Sequence, residues 1–158
     1  HRNSPVRFQF IGDGPEKQAL ILLAADLKTV VFDDPVPKAE IPARMAQADA
    51  ILLSLRDVPL FRYGVSPNKL YDAYAIGRPV ITTVAGSINA EVKTHRLGVT
   101  ADPGNPQALA DAILRLAQTP RAERKAMAER AIQLAHSTYS RQRINAEYDR
   151  LLLEVIAQ

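Results

Sequence analysis

Residues 50–83 read AILLSLRDVPLFRYGVSPNKLYDAYAIGRPVITT, and this stretch contains the signals that decide the fold. Its opening run, AILLSL, is almost entirely apolar, which is typical of a strand covered on both faces. A helix is predicted next, with Ser66 as N-cap, Pro67 at the first helical position and Gly77 just past the end. A second strand follows at 80–83. A strand, a helix and a strand in this order predict a parallel β–α–β unit with a right-handed crossover.

The same alternation runs along the rest of the chain. Apolar runs predict further strands at 6–11, 29–32 and 99–101, and amphipathic stretches predict helices that begin near residues 15, 40, 87, 106, 121 and 140. Residues 56–65 are predicted to form a loop. We therefore expect an α/β fold, a Rossmann-like doubly wound parallel sheet with C-terminal helices. We expect one domain over residues 1–158, with its last helix at about 140–157.

The composition excludes several classes of protein. The 158 residues carry 20 Lys and Arg against 17 Asp and Glu, and the net charge of +3 is too small to indicate a nucleic-acid partner. The chain has no cysteine and three histidines without metal-ligand spacing, which argues against thiolate zinc sites and histidine-built metal sites. Hydrophobic residues make up 47%, enough for a packed core, yet no apolar run approaches the ~20 residues of a membrane span. We therefore expect a cytoplasmic protein.

Ligands of such sheets bind outside the carboxyl ends of the strands, so the segments that follow predicted strands are candidate sites. The first, GDGP at 12–15, is equally compatible with a tight turn and with a ligand-binding loop, and it lacks the third glycine of a dinucleotide-binding fingerprint. The second, 33–38, carries two prolines. It is either a rigid polar connection or a stiff platform that offers backbone N–H and C=O groups to the edge of a base. In the second case, the stiffness of the loop would lower the entropy lost on binding.

The third candidate, GVSPNKLYD at 64–72, combines a helix start with a cation. The first turn of a helix presents unpaired N–H groups and a partial positive charge, which attract anions. Lys69 stands in this turn, where a cation is electrostatically misplaced unless a phosphate occupies the site. Asp72 is predicted on the same helical face, where its carboxylate could hold a sugar diol. The alternative is a capped helix with an exposed Lys69–Asp72 ion pair, which needs no ligand.

Five stretches of the chain, in the right order, resemble the C-terminal, donor-binding domain of a GT-B glycosyltransferase of the large retaining family 4. They are FQFIGDGPEK, VVFDDPVPKAEIPARMAQADAILLSL, GVSPNKLYDAYAIGRPVI, GVTADPGNPQALADAILRL and the TYS before the last helix. Together they cover nearly the whole chain, so the resemblance is specific at the level of the family. Within it, the SPNKLYD pattern is similar to bacterial polysaccharide-synthesis enzymes of the N-acetyl-L-fucosaminyltransferase type.

The resemblance implies a nucleotide-diphosphate-sugar donor, and a UDP-sugar in particular. By position, Asp72 matches the second glutamate of the family's E-x7-E motif, which holds the ribose hydroxyls, and the first glutamate position falls on Gly64. Backbone amides of 66–70 and the Lys69 ammonium would hold the diphosphate, with Lys69 stabilising it as the leaving group, and the 34–38 loop would border the base. The family requires no divalent metal and no other cofactor. The implied donor-binding residues are Gly14, Val36, Lys38, Gly64, Val65, Ser66, Asn68, Lys69, Leu70 and Asp72.

The resemblance also implies what surrounds such a domain in the family. A further strand and helix precede it, and a separate N-terminal domain of the same polypeptide binds the acceptor, so we expect this chain alone to be inactive. The parent enzyme would transfer a sugar to a glycan or lipid-linked acceptor in surface polysaccharide synthesis, such as that of lipopolysaccharide. It would contact the cytoplasmic face of the membrane peripherally.

Two alternatives stay open. The first is a GT-B-fold UDP-sugar epimerase, whose acidic and histidine-bearing active site the SPNKLYD segment does not supply. The second is a flavodoxin-like or receiver-like signalling module that binds no nucleotide sugar. Asp33 and Asp34 loosely imitate a receiver's acidic cluster, but no strand-end lysine follows the strand predicted at 80–83.

Overall fold

The computed structural model of the chain describes residues 6–156, apart from the side chain of Arg62. In this part of the chain the strands are β1 (Phe8–Ile11), β2 (Val30–Asp33), β3 (Ile51–Leu53), β4 (Val80–Thr82) and β5 (Gly98–Thr100). The helices are α1 (Lys17–Leu23), α2 (Ile41–Ala46), α3 (Pro59–Tyr63), α4 (Asn68–Ala75), α5 (Ser87–Thr94), α6 (Pro106–Gln118), α7 (Arg121–Thr138) and α8 (Arg141–Ile156), and a 3₁₀ turn covers Lys38–Glu40. The chain divides into two compact units, unit 1 (His1–Arg44) and unit 2 (Met45–Gln158).

The sheet of unit 1 consists of β1 and β2, which pair in parallel with Ile11 opposite Asp33. The rings of Phe10 and Phe32 stack across this pair with their centroids 5.1 Å apart. Both strands are short, and their carboxyl ends finish side by side because they run in the same direction. The segments that follow β1 and β2 therefore leave the sheet of unit 1 at the same edge.

The sheet of unit 2 has the order β3–β4–β5, with all strands parallel. The central strand β4 is buried along its whole length, including the polar Thr82, as expected of a strand covered on both faces. Val80 of β4 lies opposite Gly98 of β5. Gly98 has a φ of 159°, and a Cβ built on it would overlap the carbonyl oxygen of Val80. The close approach of β5 to β4 therefore requires glycine at this position.

The orientation of α4 is fixed by the core of unit 2. Leu70, Ala73 and Tyr74 lie at i, i+3 and i+4 and are at most 1% exposed, so they form the buried face that an amphipathic helix needs. Lys69 and Asp72, on other faces of the same helix, are exposed. Packing of the apolar face thus decides which side chains of α4 face solvent.

The predicted fold class is confirmed, since parallel sheets flanked by helices form a Rossmann-like α/β fold. The sequence predicts a single sheet, but two are observed. Among residues 6–156, no strand of the β1–β2 sheet pairs with a strand of the β3–β4–β5 sheet. One domain over 1–158 stays a prediction beside the two compact units. The last helix, predicted at about 140–157, is α8, and residue 157 lies outside the described residues.

Two local predictions are wrong. The predicted loop 56–65 contains α3, a helix of 5 residues that begins at Pro59 after the extended Val58. A helix this short shows no apolar periodicity in the sequence. The predicted N-cap of α4 was Ser66, but Pro67, with φ −77° and ψ 123°, takes that position and the helix begins at Asn68. The Ser66 hydroxyl instead lies 3.0 Å from the phenolic oxygen of Tyr71.

Candidate functional site

The turn between β1 and α1 contains Gly14. Its backbone N–H donates to the Asp13 carboxylate at 2.8 Å, and its carbonyl accepts from the backbone N–H of Lys17 at 3.1 Å. Gly14 is exposed, so this turn is open to a ligand on its outer side. Local hydrogen bonds fully explain its shape, and the two interpretations of the turn both stay compatible with it.

The loop that follows β2 is stiffened by Pro35 and Pro37, which fix two of its backbone φ angles. Val36 lies between them and is half-buried. Within residues 6–156, neither the N–H nor the C=O of Val36 makes a hydrogen bond. Lys38 is exposed and begins the 3₁₀ turn. The loop thus holds one unpaired donor and one unpaired acceptor at fixed positions, as the platform interpretation requires.

Lys17, in the first turn of α1, anchors this loop to the strand ends. Its ammonium donates to the Gly12 carbonyl at 2.9 Å, to the Asp33 carbonyl at 3.1 Å and to the Asp34 carboxylate at 2.9 Å. The Lys17 side chain is only 16% exposed. Three oxygen acceptors match the three donors of an ammonium, so the hydrogen-bonding capacity of Lys17 is used completely.

The N-terminus of α4 presents unpaired backbone donors. The N–H groups of Ser66, Asn68 and Lys69 donate no hydrogen bond within the part of the chain that the structure describes. The N–H of Leu70 already donates to the Pro67 carbonyl at 2.9 Å, and the Leu70 side chain is in the core. No side chain caps the helix and its first turn holds no acidic residue. Free N–H groups of this kind attract an anion.

Lys69 and Asp72 are both exposed, three residues apart on α4. Among residues 6–156, neither side chain has an ion-pair or hydrogen-bond partner, so the ion pair that the ligand-free interpretation of 64–72 requires is not formed. The Lys69 ammonium therefore stands uncompensated beside the positive end of a helix. This arrangement costs a few tenths of a kcal/mol without an anion and becomes favourable with one.

The segment before α4 supplies Gly64 and Val65. Gly64 ends α3 with φ 150° and ψ 140°, a conformation that favours glycine, and nothing lies within 4 Å of the position that a Cβ would take. Val65 is half-buried and packs against the core of unit 2. A glutamate in place of Gly64 would have room but would strain the backbone.

Behind α4, a tyrosine cluster surrounds Glu91 of α5. Tyr74 donates to one Glu91 oxygen at 3.0 Å, and Tyr139, between α7 and α8, donates to the other. Burial, followed by the Glu91 charge, raises the pKa of the Tyr74 phenol, and burial, followed by the hydrogen bond to Glu91, raises the pKa of Tyr139. The Tyr71 ring packs on Tyr139 with centroids 4.7 Å apart, and Tyr71 also contacts Ser66. The cluster thus ties the start of α4 to α5 and to the α7–α8 junction.

The predicted site residues fall into two groups. Gly14, Val36 and Lys38 lie in unit 1, and the remainder lie at and before the N-terminus of α4 in unit 2. Sequence reasoning missed Lys17, Glu91 and Tyr139 as members of these surroundings. A lysine in the first turn of a helix was the signal for Lys69, and the same signal was present at Lys17 once α1 was predicted. Nothing in the sequence singled out Glu91.

Residues 6–156 contain no group of three or more His, Cys, Asp or Glu side chains placed to hold a metal ion. In the same part of the chain, no helix is long and apolar enough to cross a membrane.

Comparison with known proteins places this chain in a family. The model of the family described as glycosyl transferases group 1 matches residues 1–119. No curated protein matches the chain by sequence. Solved structures with a similar fold include WaaG, a glycosyltransferase involved in lipopolysaccharide biosynthesis, at 24% identity and a TM-score of 0.61. AviGT4, a glycosyltransferase involved in avilamycin A biosynthesis, matches at 23% and 0.63, and a sucrose-phosphate synthase from Thermosynechococcus elongatus at 18% and 0.74.

These matches cover 84% of the chain for WaaG and 94% for the other two. The chain in turn spans only 34%, 43% and 38% of WaaG, AviGT4 and the synthase, respectively. The likeness to N-acetyl-L-fucosaminyltransferases stays a prediction. The chain belongs to the glycosyl transferases group 1 family, and its fold is that of the C-terminal domain of a GT-B glycosyltransferase.

Proposed function

We propose that the chain is the donor-binding half of a retaining glycosyltransferase that takes its sugar from a UDP-sugar. A separate domain of the same polypeptide would bind the acceptor, so the isolated chain would bind donor without turnover. This division is consistent with the chain spanning well under half of WaaG, AviGT4 and the synthase.

The observation that carries the proposal is the start of α4. Three backbone N–H groups, of Ser66, Asn68 and Lys69, have no partner within residues 6–156, and the Lys69 ammonium stands beside them without an ion pair. A diphosphate would pair with all of these donors at once. As the sugar leaves, negative charge grows on the diphosphate, and the same preorganised donors would stabilise it without a metal ion.

The remaining contacts follow from the resemblance of the motifs. Asp72, exposed on α4, would accept hydrogen bonds from the two ribose hydroxyls. The unpaired N–H and C=O of Val36 would face the edge of uracil. Gly14, in the turn after β1, and Lys38, at the end of the loop after β2, would also contact the donor. Gly64 and Val65 would border the donor before α4.

We further propose that the parent enzyme acts in surface polysaccharide synthesis. WaaG, which shares the fold, is a glycosyltransferase involved in lipopolysaccharide biosynthesis. The acceptor would be a glycan or a lipid-linked glycan, reached from the cytoplasm by a peripheral contact with the membrane.

The test compares the affinities of UDP, GDP and ADP for the chain by calorimetry in the presence of a metal chelator. We expect UDP to bind most tightly, and Asp72→Ala to weaken UDP by about tenfold, the loss expected for hydrogen bonds to a charged acceptor. Asp149→Ala is the matched control, because Asp149 is an exposed carboxylate on α8. Equal affinity for all three nucleotides, or an Asp72→Ala variant that binds UDP like Asp149→Ala, would contradict the proposal.

A further inference from the structure

We propose that Lys17 is the positioning residue for base recognition: it holds the loop 34–38 in the shape that reads the base, without touching the donor itself. The inference rests on the proposed function, because it concerns the same donor site. It adds a residue from α1, a helix that otherwise has no part in that site.

The geometry supports a role in shaping the loop. Lys17 bonds the carbonyls of Gly12 and Asp33, and these residues stand at the ends of β1 and β2. The Asp33 carbonyl also accepts the backbone N–H of Gly12 at 3.3 Å. One ammonium therefore fixes the point at which the chain leaves the sheet and enters the loop.

The third bond of Lys17 reaches into the loop itself. Asp34, whose carboxylate lies 2.9 Å from the ammonium, is two residues before Val36, and its side chain is 96% exposed. An ion pair with so exposed a carboxylate contributes little to stability by itself. The ion pair instead holds a residue of the loop against a largely buried lysine that also bonds both strand ends. Together with Pro35 and Pro37, this contact leaves the loop few conformations in which to present Val36.

Lys17 does not stabilise α1 electrostatically. A cation in the first turn of a helix is unfavourable, as it is for Lys69. The Lys17 side chain is only 16% exposed, and its burial adds a cost in lost hydration. The three oxygen acceptors offset both costs, and all three belong to the strand ends and the loop. The favourable contacts of Lys17 are therefore those that hold the loop at the strand ends.

The experiment compares UDP with inorganic diphosphate as ligands of the whole chain. Lys17→Met keeps the length of the aliphatic chain and removes the three charged donors. Lys28→Met is the matched control, because Lys28 is an exposed lysine of the same unit. Lys17→Arg tests rescue by a cation. Amide resonances of Asp34, Val36 and Lys38 report the shape of the loop in the free protein.

We expect Lys17→Met to shift these loop resonances and to weaken UDP by about tenfold, while the affinity for diphosphate changes by less than about twofold. We expect Lys17→Arg to recover part of the loss and Lys28→Met to match the unmodified chain. A merely structural role would lower the folded fraction and leave the ratio of the two affinities unchanged. If Lys17→Met leaves the ratio of the UDP and diphosphate affinities unchanged, or leaves the loop resonances unshifted, the role of Lys17 is refuted and the proposed function is not. A parent chain that binds diphosphate but no nucleotide would overturn the proposed function as well.

Discussion

The phenol of Tyr139, at the junction of α7 and α8, donates a hydrogen bond to the carboxylate of Glu91 on α5. The same carboxylate accepts from Tyr74 of α4, which is completely buried. Tyr139 is the central residue of the TYS motif, so this contact gives the motif a structural role. It joins the C-terminal helices to the helix whose N-terminus is the proposed diphosphate site.

Removal of the Glu91 carboxylate should therefore destabilise unit 2. Glu91→Ala leaves the Tyr74 hydroxyl buried without an acceptor, and we expect a loss of about 2–3 kcal/mol in the free energy of unfolding. Glu129→Ala, which removes an exposed carboxylate paired with Lys125, should change it by less than about 0.5 kcal/mol. Urea unfolding measures both, and equal effects of the two substitutions would refute the role of Glu91.

Alkaline pH should weaken the folded state through the same cluster. The pKa values of Tyr74 and Tyr139 are raised in the folded chain, so both phenols keep their protons where the unfolded chain, with an ordinary pKa near 10, releases them. The stabilisation is complete below about pH 10 and is lost as pH rises above it, with a limiting slope of about 1.4 kcal/mol per pH unit for the buried Tyr74. Urea unfolding between about pH 9 and pH 11 measures the slope. Tyr74→Phe should reduce it, and an identical slope in that variant would contradict the explanation.

Gly98 should not tolerate a side chain. In Gly98→Ala the new Cβ overlaps the carbonyl of Val80 in the central strand, and we expect a loss of about 2–3 kcal/mol in stability. Gly104 also has a positive φ, of 69°, but has nothing within 4 Å of a Cβ. Gly104→Ala should therefore lose only about 1 kcal/mol from backbone strain. Thermal unfolding separates the two costs, and a Gly98→Ala variant as stable as Gly104→Ala would show that β5 can move aside.

Lys69 should lower the stability of the fold and raise its affinity for UDP. Lys69→Ala removes an unpaired cation from the first turn of α4, so we expect a gain of a few tenths of a kcal/mol in stability and a loss of about tenfold in UDP affinity. Lys93 lies in the last turn of α5, where a cation is favourable, and Lys93→Ala should lose a few tenths without affecting UDP. Calorimetric titration and urea unfolding of both variants check the opposite signs. Unaltered UDP affinity in Lys69→Ala would remove Lys69 from the site.

Much of the fold was predictable because its signals are local. β3 lies in a continuous apolar run, and α4 has its apolar residues at helical spacing, so the sequence predicts both at nearly their observed positions. The division into two sheets was not predictable in this way, because apolar runs give the positions of strands but not their neighbours. The position of Ser66 was misjudged because its hydroxyl pairs with Tyr71, a contact that competes with capping.

The predicted site residues came from motifs, and their surroundings came only from the structure. Position on the predicted helix indicates Lys69 and Asp72, the resemblance of SPNKLYD supports both, and the structure adds that neither has a partner among the described residues. The contacts of Lys17 with Asp34 and of Tyr139 with Glu91 join residues that are 17 and 48 positions apart. Such contacts depend on packing, which a single sequence does not reveal.

Membership of the glycosyl transferases group 1 family also removes the receiver-like alternative.

The most direct test of the central claim is the change in backbone amide resonances when UDP is added to the metal-free chain. We expect the amides of Ser66, Asn68 and Lys69, whose N–H groups are free within residues 6–156, to shift together with that of Val36, and Asp72→Ala to reduce all four shifts at a given UDP concentration. Shifts confined to other residues, or none at saturating UDP, would contradict the claim that the start of α4 and the loop after β2 hold the donor.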